Sequence, residues 1–196
     1  MLSELLLKTS AYRILSFLTL HPNDSFYDKE ISERTGVSRG ATNQVLNNFN
    51  KNNLVLRIKR GKMWLYSITE QPLVKYFRIY ENLIELADLT NRLSMMAKRV
   101  ILFGSAAQGE DTGTSDIDLF VISDQPDEVF SQIRAFKSKR EIKPIVRTPL
   151  EFASSLTKDQ AFYQEVERGI ILFEREADEE RKMPPKPTNS QTGSCP

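Results

Sequence analysis

Asp116 and Asp118 flank Ile117 and lead into an apolar run, Leu119 to Ile122. On a strand, residues two apart point the same way. The spacing therefore predicts two carboxylates side by side on one face, with Ile117 on the other. Two anions that close are unfavourable unless a cation sits between them. A divalent ion with oxygen ligands, Mg²⁺ or Mn²⁺, is the natural candidate, because Mg²⁺ is held by one or two carboxylates plus substrate phosphates. Upstream, Val100 to Phe103 reads as a buried strand stopped by Gly104. Gly104 and Ser105 then open a short helical turn, Ala106 to Gln108, closed by Gly109. A glycine lets the backbone approach closely, and N–H groups at a helix start, with the Ser105 hydroxyl, can hold anionic oxygens. Together these parts imply a nucleoside triphosphate gripped by its phosphates and bridged by metal to an Asp pair. That is the chemistry of in-line phosphoryl or nucleotidyl transfer.

The run Gly104-Ser105, Gly109 and Ser115-Asp116-Ile117-Asp118-Leu119 resembles the motif of the DNA polymerase beta-like nucleotidyltransferase superfamily, and of its minimal members in particular. The resemblance implies that Gly104, Ser105, Gly109 and Ser115 bind phosphate and that Asp116 and Asp118 bind metal and carry catalysis. Active members add a third carboxylate on a later strand. The matching region here reads Lys143-Pro144-Ile145-Val146 and offers no Asp, which leaves Glu141, at the strand edge, as the stand-in. Glu110 and Asp111 read as solvated loop charges. Without a third acid, two Asp can still hold one ion, but activation of an attacking hydroxyl is weakened.

The chain of 196 residues, 40% of them hydrophobic, has room for two small domains. Its net charge of +1 names no partner, but its distribution does. From Gly36 to Trp64 there is no Asp or Glu, while Arg39, Lys51, Arg57, Lys59, Arg60 and Lys62 all fall there. Cys195 is the only cysteine, which excludes an intrachain disulfide. With no apolar run of membrane-spanning length and no signal-peptide pattern, the expected place is the cytoplasm, away from membranes.

In chain order, a dense apolar pattern predicts a helix from Leu2 to about Leu20, broken at His21-Pro22-Asn23-Asp24. A helix from Phe26 to Thr35, a Gly36-Val37 turn, and a helix from Arg39 to Lys51 with Ser38 as N-cap make a helix-turn-helix pattern. The last of these helices is expected to bury Val45, Leu46 and Phe49 and to show Arg39, Thr42, Asn43, Gln44 and Asn47 elsewhere. Those side chains suit contacts to base edges and phosphates. Leu54 to Ile58 and Met63 to Ile68 read as a hairpin with a basic tip. The order resembles a winged helix-turn-helix domain, which implies that Ser38 to Asn50 enters the major groove of double-stranded DNA. Arg57, Lys59, Arg60 and Lys62 would then lie along the backbone or minor groove. A small helical adaptor with a solvated hairpin is the other reading, and the acid-free stretch favours DNA.

Pro72 starts a helix to about Leu93, with Leu73, Phe77, Tyr80, Ile84 and Ala87 along one side. That stripe is expected either to pack on its own chain or to form a homodimer. Asp127 to Lys139 reads as an amphipathic helix. Ile142 to Val146 reads as a strand whose Pro144 suggests an edge or bulge. Glu151 to Leu156 and Gln160 to Gly169 read as helices, and Ile170 to Phe173 as a closing strand. The expected class is α+β: a winged helix-turn-helix domain at 1–71, a linker or dimerisation helix at 72–96, a small mixed-sheet nucleotidyltransferase domain at 97–176 and a disordered tail at 177–196. Two functions follow. One is Mg²⁺-dependent transfer of a nucleoside monophosphate from a nucleoside triphosphate such as ATP to a protein or small-molecule hydroxyl, by a protein tethered to DNA. The other is a transcriptional regulator whose transferase-like domain binds nucleotide or dimerises.

Overall fold

The computed structural model describes residues 9–155 and 159–175. The expected helix start at Leu2 to Leu7, the end of the helix at Leu156 and the 177–196 tail lie outside the described residues. Secondary structure follows local chemistry closely. Helix α1 (Ser10–Thr19) is capped by Thr9, whose side chain accepts from Tyr12 N. Helix α2 (Asp28–Thr35) ends at Gly36, in the left-handed region at φ 65°. Helix α3 (Arg39–Lys51) starts at Ser38, whose Oγ accepts from Ala41 N at 3.4 Å.

Phe26 and Tyr27 depart from the helix expected there. They form a two-residue strand, β1 (Phe26–Tyr27), paired with Tyr66 and Leu65. Aromatic residues suit a strand as well as a helix, and the available sheet edge decides. Strands β2 (Val55–Arg60) and β3 (Met63–Ile68) form a hairpin through Gly61 and Lys62, and the small sheet runs β1-β3-β2. Its core joins Ile14, Leu18, Ile31, Leu46 and Val55, all at most 1% exposed. Burying each such side chain contributes roughly 1.5–3 kcal/mol.

Helix α4 (Pro72–Leu93) has proline in its first turn, as expected, but its buried stripe is not the apolar one read from the sequence. Leu73 and Tyr80 are exposed, with Tyr76 between them, while Val74, Arg78, Glu81, Asn82, Leu86, Leu89 and Leu93 face inward. The helix packs on a four-stranded mixed sheet, order β6-β5-β4-β7, made of β4 (Ala97–Phe103), β5 (Ile117–Ser123), β6 (Ile142–Arg147) and β7 (Ile170–Glu174). Only β5 and β6 run parallel. Strand β6 is an edge, which accommodates Pro144. Between the strands lie α5 (Gly104–Gln108), α6 (Pro126–Ala135), α7 (Pro149–Ser155) and α8 (Gln160–Glu167). Helix α6 stops short of the expected Lys139 because Phe136 turns extended, at φ −80° and ψ 130°. Phe120, Leu102 and Leu119 fill the centre of the sheet.

The two sheets meet through α1 and α4. Tyr12 Oη donates to Glu81 Oε1 at 2.5 Å, the Tyr12 and Phe77 rings lie 5.4 Å apart, and Gly113 N donates to Leu20 O at 3.1 Å. Burial first, then the Glu81 carboxylate, holds the Tyr12 hydroxyl protonated well above the ordinary tyrosine range. Among the described residues, no helix is long and apolar enough to cross a membrane.

Candidate nucleotide site and basic surface

The Asp pair stands at the start of β5. Asp118 pairs with Phe103 on the β4 side and with Lys143 on the β6 side, and Asp116 precedes the strand. Gly104, at φ 67°, follows β4 and passes directly beside Asp118. A Cβ there would lie 2.6 Å from Asp118 Oδ2, so both the left-handed backbone and the close approach require glycine. The Gly104 turn and the Asp118 carboxylate are thus brought together.

Other expected members sit differently. Gly109, also at positive φ, is buried, and a Cβ on it would lie 2.2 Å from Lys75 O. Close passage against the backbone of α4 accounts for a glycine there. The Ser115 hydroxyl accepts from Thr112 N at 2.9 Å and closes the loop before the Asp pair. Glu141 is exposed one residue before β6, and its carbonyl accepts from Ile117 N at 2.8 Å. Among the described residues, no three His, Cys, Asp or Glu side chains come together as a metal group.

Lys143 is the residue that sequence reasoning recorded only as the lack of an acid. Its Nζ lies 2.5 Å from Asp116 Oδ2, with the two side chains 55% and 35% exposed. The hydrogen bond and charge of Asp116 raise the Lys143 pKa, with smaller contributions from Glu141 and Asp118. Burial is the main cause that lifts Asp118 above the ordinary carboxylate range. Lys143 opposes that rise, and Asp116 and Glu165 add to it. The donor set therefore does not fit a resident divalent ion as it stands. Two carboxylates are present, but one already carries an ammonium where the ion would sit. Two clefts, about 340 and 480 Å³, lie along α4 between the N-terminal unit and residues 108–112, and neither touches Asp116 or Asp118. The Asp pair stands at the start of β5, apart from both clefts.

Asp111 corrects another expectation. It is not solvated: its side chain is wholly buried, gripped by Arg78 and Arg140. Asn82 Nδ2 donates to Asp111 Oδ1 at 3.0 Å and to Ala106 O at 2.9 Å, so α4 holds both α5 and the loop that follows it. Arg78 also donates to Glu81, and Arg140 to Asn82 and Glu85. Polar residues at 78, 81, 82 and 85 share one face of α4, a periodicity that could have revealed this network. Glu110, by contrast, is exposed and pairs with Lys75 at 2.5 Å.

In the N-terminal unit, Arg39, Gln44, Asn47, Arg57, Lys59, Arg60 and Lys62 are exposed, and Asn43 is half-buried. Arg39 lies 3.3 Å from Asp28, and Arg57 Nη1 donates to Asn47 Oδ1 at 3.1 Å, tying hairpin to helix. The Arg57 guanidinium also stacks 4.2 Å from the Trp64 ring centre, with Lys59 at 5.8 Å. Thr42 faces the other way. It is fully buried, and its hydroxyl donates to Val37 O, because its position on α3 falls on the same side as Leu46. Ser38 is exposed but occupied as the helix cap.

Comparison with known proteins gives one family. The profile described as polymerase beta, nucleotidyltransferase matches residues 79–178. No curated protein matches the chain. Two solved structures show limited likeness. AF1382 from Archaeoglobus fulgidus is 16% identical over 45% of this chain and 98% of its own, with a TM-score of 0.40. YusO from Bacillus subtilis is 21% identical over 44% of this chain and 74% of its own, with a TM-score of 0.30. At those scores the likeness carries no weight for fold or function.

Proposed function

Since this chain belongs to the polymerase beta nucleotidyltransferase family, we propose that it is a DNA-binding protein whose transferase domain takes a nucleoside triphosphate as a regulatory ligand. The observation that carries the DNA reading is the exposed cationic and amide side chains of α3 and the β2–β3 hairpin, a stretch of chain that itself contains no Asp or Glu. There Arg39, Gln44, Asn47, Lys59, Arg60 and Lys62 are all exposed on neighbouring elements. Three helices followed by a basic hairpin support a winged helix-turn-helix, with α3 in the major groove and the Lys59–Lys62 tip on phosphates. Exposed amides and a guanidinium on α3 are suited to base edges, and the hairpin cations to the backbone.

For the second domain, the Gly104-Ser105 turn beside Asp118 supports triphosphate binding. The ammonium on Asp116, with no third acid, weighs against the family's metal-assisted transfer to a hydroxyl. We therefore favour a regulator over a transferase, in the cytoplasm, on double-stranded DNA.

Fluorescence anisotropy with duplex DNA across a salt series tests the DNA reading. The Lys59→Ala/Arg60→Ala/Lys62→Ala variant is expected to keep its fold and lose affinity at every salt concentration. Its log–log salt slope is expected to fall by about 2 to 3, one per phosphate contact removed. An unchanged slope and affinity would reject the hairpin as a DNA contact.

A further inference from the structure

In the sheet, the carboxylate on β5 and the lysine on β6 are parallel-strand neighbours: Asp118 lies opposite Lys143 in register. Side chains paired in register project to the same face of a sheet. The Lys143 ammonium bridges toward the neighbouring acid and sits 2.5 Å from Asp116 Oδ2. It thus takes up the charge-neutralising role that two adjacent carboxylates require, at the place where a cation would enter. We propose that Lys143 is a built-in counter-cation that keeps divalent metal off the Asp116–Asp118 pair. This inference rests on reading that pair as the family's cation-binding carboxylates.

The physical argument is competition. A divalent ion entering between the two acids must displace the ammonium from Asp116, which is worth little for a pair this exposed. It must also come within a few ångströms of the Lys143 charge, whose repulsion of a divalent cation at that range adds to the cost for as long as the lysine stays on its own stem beside the pair. The two effects together are expected to weaken metal binding by at least about tenfold. Lys143 is more than half exposed and lies on an edge strand, so replacing it removes charge without opening the core. Among the described residues, Lys143 is the cation that pairs with Asp116 and whose charge acts on Asp118.

The test is titration of Mn²⁺ into the full chain, with free Mn²⁺ read by electron paramagnetic resonance and no nucleotide present. Four proteins are compared: wild type, Lys143→Ala, Lys143→Asp, and Lys143→Ala combined with Asp116→Ala and Asp118→Ala. The expected order is weak binding by wild type, at least about tenfold tighter by Lys143→Ala, tighter again by Lys143→Asp, and loss in the triple variant. Equal affinity of wild type and Lys143→Ala would overturn the counter-cation role while leaving the Asp pair as a cation site. No binding by any protein, Lys143→Asp included, would overturn it differently, by showing that the two carboxylates are not a cation site. Binding that survives in the triple variant would place the metal elsewhere and overturn it as well.

Discussion

Asp111 and Asp116 lie on one loop, yet the protein treats their charges in opposite ways. Asp111 is sealed from water between Arg78 and Arg140, with Asn82 filling its remaining acceptor capacity. Asp116 is a third exposed and meets a single lysine that is itself mostly in solvent. The first arrangement has no room for another ligand, and the second is open on one side. A buried carboxylate must be fully paired because solvent cannot compensate it, so its partners are structural. A solvent-facing pair with an incomplete set of partners can exchange them, which is what a binding site needs. The same loop is therefore anchored at one end and offered at the other.

Removing the buried acid probes that contrast most severely. Asp111→Ala leaves Arg78 and Arg140 facing each other in the interior, and is expected to cost about 3–5 kcal/mol in urea unfolding. A loss below about 1 kcal/mol, the range of an exposed pair, would erase the distinction. Gly104→Ala comes next. The left-handed backbone alone is expected to cost about 1–2 kcal/mol, and the new methyl must push Asp118 aside. Circular-dichroism melting measures the first effect, and loss of Mn²⁺ binding in the Lys143→Ala background measures the second.

The smallest effect is a pH dependence. Asp118 titrates above its ordinary value of 3.8 in the folded chain, chiefly because it is partly buried. The folded state then binds more protons than the unfolded state between the two values, so this group makes stability fall as pH rises through that window. Asp118→Asn stays neutral in both states. Its stability relative to wild type is expected to increase from pH 3.8 upward and to level off above the folded pKa. A difference that stays flat with pH would mean that Asp118 is no less solvated than a free carboxylate.

Much of the site was legible because it is local. The Asp-x-Asp spacing marked the start of β5, and a glycine between an apolar strand and a short helix marked the turn that passes Asp118. The cap of α3, the proline opening α4 and the Gly61-Lys62 hairpin tip were likewise readable from neighbouring residues, whereas the helix expected to run from Leu2 is interrupted at Thr9, which is extended and caps α1. Where several conformations are locally acceptable, the reading failed. Phe26 and Tyr27 could continue a helix, and the exposed edge of β3 recruited them instead. Thr42 is a residue type suited to a groove contact, but it lies one helical turn before buried Leu46 and so faces inward.

Charge is where sequence and tertiary structure part most clearly. The sequence by itself determined that a glycine turn closes one apolar run and an Asp-x-Asp pair opens the next, that an acid-free basic stretch precedes them, and that no Asp falls in the later strand Ile142 to Val146. Only tertiary structure decided that Asp111 would be buried between two arginines far from it in the chain, and that parallel pairing of β5 with β6 would set Lys143 against the Asp pair. Backbone propensity acts over a few residues, so it can be read from the chain. The free energy of a charge depends on which distant groups exclude water from it or neutralise it, and folding alone brings those groups together.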